Sequence, residues 1–134
     1  MTACYLDASA IVKLAIRGTE TDALRAHLTQ YDTRATSRLA TVEVPRALAR
    51  RGPDSVAAGA EPLAQVLASL QLVELDGAVA RHAAELRPAA LRSLDAIHLA
   101  SALALGDELG AVVTYDARLA SAARAAGLRV IAPA

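Results

Sequence analysis

The chain predicts an α/β fold, a parallel-sheet sandwich with helices on both faces and a single domain over residues 1–134. Three observations carry this. Short apolar runs alternate along the chain with helical patterns, the order of elements that builds a parallel sheet. Those runs are apolar throughout instead of alternating with polar residues, as strands covered on both faces are. The core must also be aliphatic, because 54% of residues are apolar while the aromatics are three Tyr with no Phe or Trp. Abundant Ala suits closely packed helices, and Val, Leu and Ile runs suit buried strands. A length of 134 residues fits one core.

The elements follow in order. Thr2 to Leu6 reads as a buried strand, stopped by Asp7-Ala8-Ser9. Ser9 to Ile16 has helical spacing with Ser9 as its N-cap, and Gly18 ends it. Thr19 or Thr21 opens a second helix, with Ala23, Leu24, Ala26, Leu28 and Tyr31 as its apolar set. Asp32 to Arg34 is a turn, and Ala35-Thr36 at most a very short strand. Ser37 caps a helix through Arg51, which puts Glu43 about two turns in, on a face with Leu39, Ala40 and Ala47. Pro45 removes one backbone hydrogen bond and is expected to kink this helix just after Glu43. Gly52-Pro53-Asp54 is a break. An Ala-rich helix then runs from Pro53 to Leu70, interrupted around Gly59 and Pro62. Leu72 to Leu75 is a strand, and Asp76-Gly77 turns into the helix Ala78 to Leu86, which Pro88 ends.

Ser93 to Leu105, SLDAIHLASALAL, is the most apolar helical pattern in the chain. Ser93 is its expected N-cap, and Asp95 then lies in the first turn, near the positive end of the helix dipole. Gly110 stops the pattern, and Ala111 to Thr114 forms a strand. Asp116 opens the helix Ala117 to Ala126, Gly127 ends it, and Leu128 to Ile131 is the final strand.

Right-handed crossovers bring the carboxyl ends of all parallel strands to one edge of the sheet, where ligands of such sheets bind. Asp7 and Asp116 each follow a strand and belong at that edge. Asp95 begins a helix that can start there, and Glu43 reaches it by leaning back along its own helix. Two carboxylates about 5 Å apart repel by roughly 3 kcal/mol at an effective dielectric near 20. Four of them make six such pairs, a sum comparable with the whole stability of a domain, about 5–15 kcal/mol. If they converge, the cluster takes up protons or binds a cation. Oxygen ligands without a His/Cys set at zinc spacing favour Mg²⁺, with Mn²⁺ able to substitute. A carboxylate-held Mg²⁺ suits phosphate chemistry.

Other features narrow the function. Formal net charge is zero, so nucleic-acid binding must use a local patch. The cations are Lys13 and otherwise Arg, a bias that genomic base composition can also produce. Cys4 has no partner for a disulfide, which suits a small buried hydrophobe in a reducing cytoplasm. No basic leader precedes an apolar run, and no apolar stretch is long enough to span a membrane. His98 reads as a satisfied helix histidine rather than a ligand. Arg46, Arg50 and Arg51 read equally as solvated residues or RNA phosphate contacts. Asp22, Asp54, Asp76 and Asp107 read as capping or turn acids.

Four segments together resemble a known family. YLDASAIVKL (Tyr5–Leu14), SRLATVEVPRAL (Ser37–Leu48), SLDAIHLASA (Ser93–Ala102) and VVTYDARLASAARAAGL (Val112–Leu128) resemble the successive motifs of PIN-domain ribonucleases. The similarity is to the VapC-type toxins of prokaryotic toxin–antitoxin pairs, and it covers the whole chain. Each motif is unspecific alone, whereas four in this order and spacing are specific. The resemblance implies that Asp7, Glu43, Asp95 and Asp116 are catalytic metal ligands, supported from behind by Ser9 and Thr114. It also implies a homodimer and a cognate antitoxin whose C-terminal segment occupies the acidic site. The implied activity is Mg²⁺- or Mn²⁺-dependent endoribonucleolytic hydrolysis by activated water. With no net positive charge, the expected substrate is a structured loop, as of a tRNA or rRNA. The alternatives are a PIN-type nuclease in RNA processing or DNA cleavage without a toxin role, and a non-catalytic α/β binding module. A phosphoacceptor signalling domain would need an acidic pair after the first strand and a late Lys, and the chain has neither.

Overall fold

The computed structural model describes residues 2–134. Its strands are β1 (Ala3–Leu6), β2 (Thr33–Ser37), β3 (Gln71–Val73), β4 (Leu109–Val113) and β5 (Val130–Ile131). They form one parallel sheet in the order β3-β2-β1-β4-β5. The helices are α1 (Ala8–Ala15), α2 (Thr21–Leu28), α3 (Ala40–Arg51), α4 (Pro53–Ser69), α5 (Gly77–Glu85), α6 (Ser93–Leu103) and α7 (Ala117–Ala125). The predicted α/β sandwich is what the chain forms. Among the described residues, no helix is long and apolar enough to cross a membrane.

Central β1 is buried along its whole length, and its side chains alternate between two cores. Cys4 and Leu6 pack with Ile11, Leu14, Leu24, Val44, Leu48 and Leu63. Tyr5 points the other way, toward Leu99, Val112 and Leu119. Helices α1 to α4 therefore cover one face, and α6 and α7 the other, with α5 packed on α6. Burial pushes the Cys4 thiol up to about 11, so it acts as a small apolar residue.

The strand order locates the functional edge. From β1 the chain steps outward to β2 and then β3, whereas β4 and β5 lie on the opposite side of β1. The order reverses between β1 and β4, and a crevice opens at the carboxyl ends of strands at such a reversal. Asp7 follows β1 there, and Thr114 to Asp116 follow β4.

Several elements depart from the sequence reading. The sequence marks at most Ala35-Thr36 as strand, but β2 has five residues and lies inside the sheet. Its Thr and Ser residues disguise it, and Thr36 satisfies its buried hydroxyl by donating to the Leu6 carbonyl at 2.6 Å. The helix expected to start after Ser37 begins instead at Ala40, because Ser37 still belongs to β2. Helix α3 runs through Pro45 to Arg51, as the sequence predicts. Helix α4 is likewise continuous through Gly59 and Pro62. Gly59 is a contact residue, since a Cβ there would lie 2.8 Å from Leu48 Cδ1 and 3.1 Å from Ile16 Cδ1. Gly110 lies within β4, and the final strand is only Val130–Ile131. Ser9 and Ser93 cap no helix: Asp7 caps α1, and Ser93 is already the first residue of α6.

Candidate active site

All four acids stand at helix N-termini on the carboxyl edge of the sheet. Asp7 is the N-cap of α1 and Asp116 the N-cap of α7, while Asp95 and Glu43 lie in the first turns of α6 and α3. Glu43 is thus nearer the edge than two turns into its helix, because α3 starts late. Each carboxylate faces the positive end of a helix dipole, a contribution of about 0.3–1 kcal/mol apiece.

Asp7 is 4% exposed and fully engaged. Its Oδ1 accepts from the Ala10 N–H at 3.2 Å and the Ser9 hydroxyl at 2.6 Å. Its Oδ2 accepts from the Thr114 hydroxyl at 2.7 Å. Both hydroxyls are themselves held by the turn after β4. Ser9 Oγ accepts from the Tyr115 N–H at 2.9 Å, and Thr114 Oγ1 from the Asp116 N–H at 3.0 Å. Each hydroxyl so takes a backbone proton and gives its own to Asp7, which links the end of β1 to the loop that presents Asp116. Burial pushes the Asp7 carboxyl above its ordinary range, against the lowering pull of Ser9, Thr114, His98 and the Ala10 N–H.

Glu43, Asp95 and Asp116 line one cavity of about 260 Å³ together with Arg92, Ser93, Leu94 and Arg118. Asp95 is 9% exposed, and its carboxyl is raised first by burial and then by the adjacent charge of Asp116. His98, Arg118 and Arg92 pull it back down. Asp116 Oδ1 accepts from the Arg118 N–H at 2.9 Å as the cap of α7. Glu43 Oε1 meets His98 Nε2 at 2.6 Å, and His98 Nδ1 meets the Tyr5 hydroxyl at 2.6 Å. A groove beside the cavity carries Glu43, Arg46, Arg50 and Leu94, with Ser9 at its side. Arg51 lines neither. Asp76 caps α5 by accepting from the Val79 N–H, Asp22 pairs with Arg17, and Asp54 and Asp107 lie in first turns, all away from the cavity.

His98 is the satisfied helix histidine the sequence suggests, and its partner is one of the acids. Sequence reasoning missed Tyr5, Arg92 and Arg118. Tyr5 left a signal, a phenol inside an otherwise aliphatic strand, whose hydroxyl must find a partner when buried. The two Arg residues sit three before Asp95 and two after Asp116, close enough in sequence to temper the charge of those acids.

The PIN domain family matches residues 4–125. The chain belongs to the PIN-domain family. This PIN domain is 49% identical over 133 residues to the ribonuclease VapC46 of Mycobacterium tuberculosis, a match covering 99% of each chain. It is thereby a member of the VapC ribonuclease group. Two solved structures share its fold. VapC20 of Mycobacterium tuberculosis, described as a sarcin–ricin loop cleaving toxin, superposes with a TM-score of 0.70 at 16% identity, over 97% of this chain and 99% of that one. VapBC2 from Rickettsia felis, bound to a DNA fragment from its promoter, gives 0.73 at 15% identity over 97% and 98%.

The donors of this PIN domain suit a hard divalent cation. They are carboxylate oxygens from separate elements around a shared cavity, with like charges that raise Asp95 and so favour a cation between them. Among the described residues, no group of three or more acidic, His or Cys side chains is arranged so that it could hold a metal ion as it stands. The fit is one of donor chemistry and shared position.

Proposed function

We propose that this chain is the toxin of a toxin–antitoxin pair, an endoribonuclease that uses Mg²⁺, or Mn²⁺ in its place, held by Asp7, Glu43, Asp95 and Asp116. The observation that carries it is the shared cavity of Glu43, Asp95 and Asp116, joined to Asp7 through Thr114. When bound, the ion supplies an activated water and offsets charge on the phosphoryl group. Ser9 and Thr114 hold Asp7 in one orientation by donating to both of its oxygens. Asp95 and Asp116 line the same cavity and are placed to orient the attacking water. Arg92 and Arg118 flank the acids and offer guanidinium groups to neighbouring phosphates.

The structural neighbour VapC20 is described as a sarcin–ricin loop cleaving toxin, and zero net charge favours recognition of a splayed loop over bulk attraction to any RNA. The substrate is therefore a structured loop, as of a tRNA or rRNA. The partner is a cognate antitoxin whose C-terminal segment covers the acidic site, and the whole chain acts in the cytoplasm as a homodimeric nuclease domain. With water, not the ribose 2′-hydroxyl, as the attacking group, products carry a 5′-phosphate and a 3′-hydroxyl. Incubating the chain with total RNA and Mg²⁺ or Mn²⁺ and mapping the ends tests this. EDTA should abolish cleavage, and Asp116→Ala should reduce it by more than the roughly 10–100-fold that follows loss of a group orienting a metal-bound carboxylate. Ends bearing 2′,3′-cyclic phosphate, or cleavage that persists in EDTA, would overturn the mechanism.

A further inference from the structure

We infer that Tyr5 and His98 form a buried positioning device that sets the hydrogen-bonding state and orientation of Glu43. This rests on the metal-site reading above. Three elements meet in it. Glu43 stands on α3, over one face of the sheet, while His98 stands on α6 and Tyr5 points into the core of the other face. The imidazole joins them with two bonds of 2.6 Å, Tyr5 hydroxyl to Nδ1 and Nε2 to Glu43 Oε1. Tyr5 is wholly buried and His98 nearly so, while the Glu43 side chain remains 20% exposed.

The direction of the bonds follows from burial. Tyr5 and His98 are both buried away from water, so each of their polar atoms must find its partner within the fold. The Tyr5 hydroxyl meets His98 Nδ1 at 2.6 Å, and the Ser101 hydroxyl also stands near it. A carboxylate oxygen only accepts, so the imidazole is the donor to Glu43 at Nε2, and the phenol hydroxyl is the donor at Nδ1. Nδ1 therefore accepts, Nε2 carries the ring proton, and Glu43 Oε1 receives it. Among the described residues His98 is the one side chain bonded to Glu43. The bond removes rotamers from a flexible side chain, engages one carboxylate oxygen and leaves Oε2 for an ion. A metal-bound His is commonly oriented by a carboxylate, and here the roles are reversed.

Two measurements on the intact chain test the inference. Long-range ¹H–¹⁵N NMR of the parent should show His98 in the Nε2–H tautomer, and Tyr5→Phe should convert it to a mixture. Mn²⁺ binding followed by electron paramagnetic resonance should weaken about 10–100-fold in His98→Leu. His98→Gln, whose side-chain amide can donate near the position of Nε2, should recover most of the affinity. A residue that only fills the core would not be rescued by the polar replacement over the apolar one. If His98→Leu does not fold, Tyr5→Phe and His98→Gln carry the comparison. Parent-like Mn²⁺ affinity in folded His98→Leu, or an Nδ1–H tautomer in the parent, would overturn this inference and leave the metal site standing. A parent chain that takes up no Mn²⁺ would overturn the metal site and this inference together.

Discussion

Asp95 shows what a buried carboxylate does to a folded chain. Its folded-state carboxyl is raised, by burial first and by Asp116 second. The native state therefore holds this proton more tightly than the unfolded chain does. Its contribution is most favourable at low pH and is lost as pH rises through the raised value, so at neutral pH the ionised group opposes folding. Asp7 shares this sign despite the donors aimed at it. Asp95→Asn should then melt higher than the parent at pH 7 in EDTA, and the gap should close as pH falls into the ordinary carboxylate range. Adding Mn²⁺ should favour the parent, since an ion bound only by the folded state stabilises it by about 2.7 kcal/mol at about a hundredfold excess over Kd. Calorimetry across pH with and without Mn²⁺ decides the matter, and a variant melting lower than the parent in EDTA at pH 7 would count against it.

At the scale of elements, the acids share one edge of the sheet because four helices begin there. That arrangement needs the helices of one face to pack tightly enough to set where each begins. At Gly59 of α4 there is no room for a Cβ, against Leu48 of α3 and Ile16 beyond α1. An added methyl must displace both side chains, an overpacking cost of about 1–3 kcal/mol. The better helix propensity of Ala returns at most about 1 kcal/mol. Gly59→Ala should therefore lower stability by about 1–2 kcal/mol in urea unfolding, and an equal or higher midpoint would show that the helices have room to part.

For the whole molecule the relevant quantities are charge and surface. Formal net charge is zero, yet Arg46, Arg50, Arg92 and Arg118 gather around the acidic cavity and its groove. Cation and anion are thus sorted locally, an arrangement suited to a phosphate chain laid across the acidic cleft. The large exposed apolar residues divide into two sets. Val42 and Leu94 border the groove at the site, whereas Val56 and Leu75 lie away from it. A homodimer that leaves the site open would draw on the second set. Size-exclusion chromatography with light scattering should report twice the chain mass at micromolar concentration, and a monomer at every concentration would refute the dimer.

Periodicity and punctuation alone determined much of this protein. The alternating order of elements, the apolar strands and the acids after β1 and β4 were all legible, because a parallel sheet puts its carboxyl ends on one edge whatever the details. Asp7, Asp95 and Asp116 follow from that rule. The rest belongs to tertiary structure. Polar β2 is a strand only because its neighbours complete its backbone bonds and Leu6 accepts the Thr36 hydroxyl. Gly59 and Pro62 read as breaks from local propensity, yet packing against α1 and α3 carries α4 straight through. Glu43 gained its place at the edge when Ser37 was claimed by the sheet and α3 began late. The link from Tyr5 through His98 to Glu43 joins residues 93 and 55 positions apart, a separation at which no local pattern operates and only the meeting of two helices over the sheet edge does.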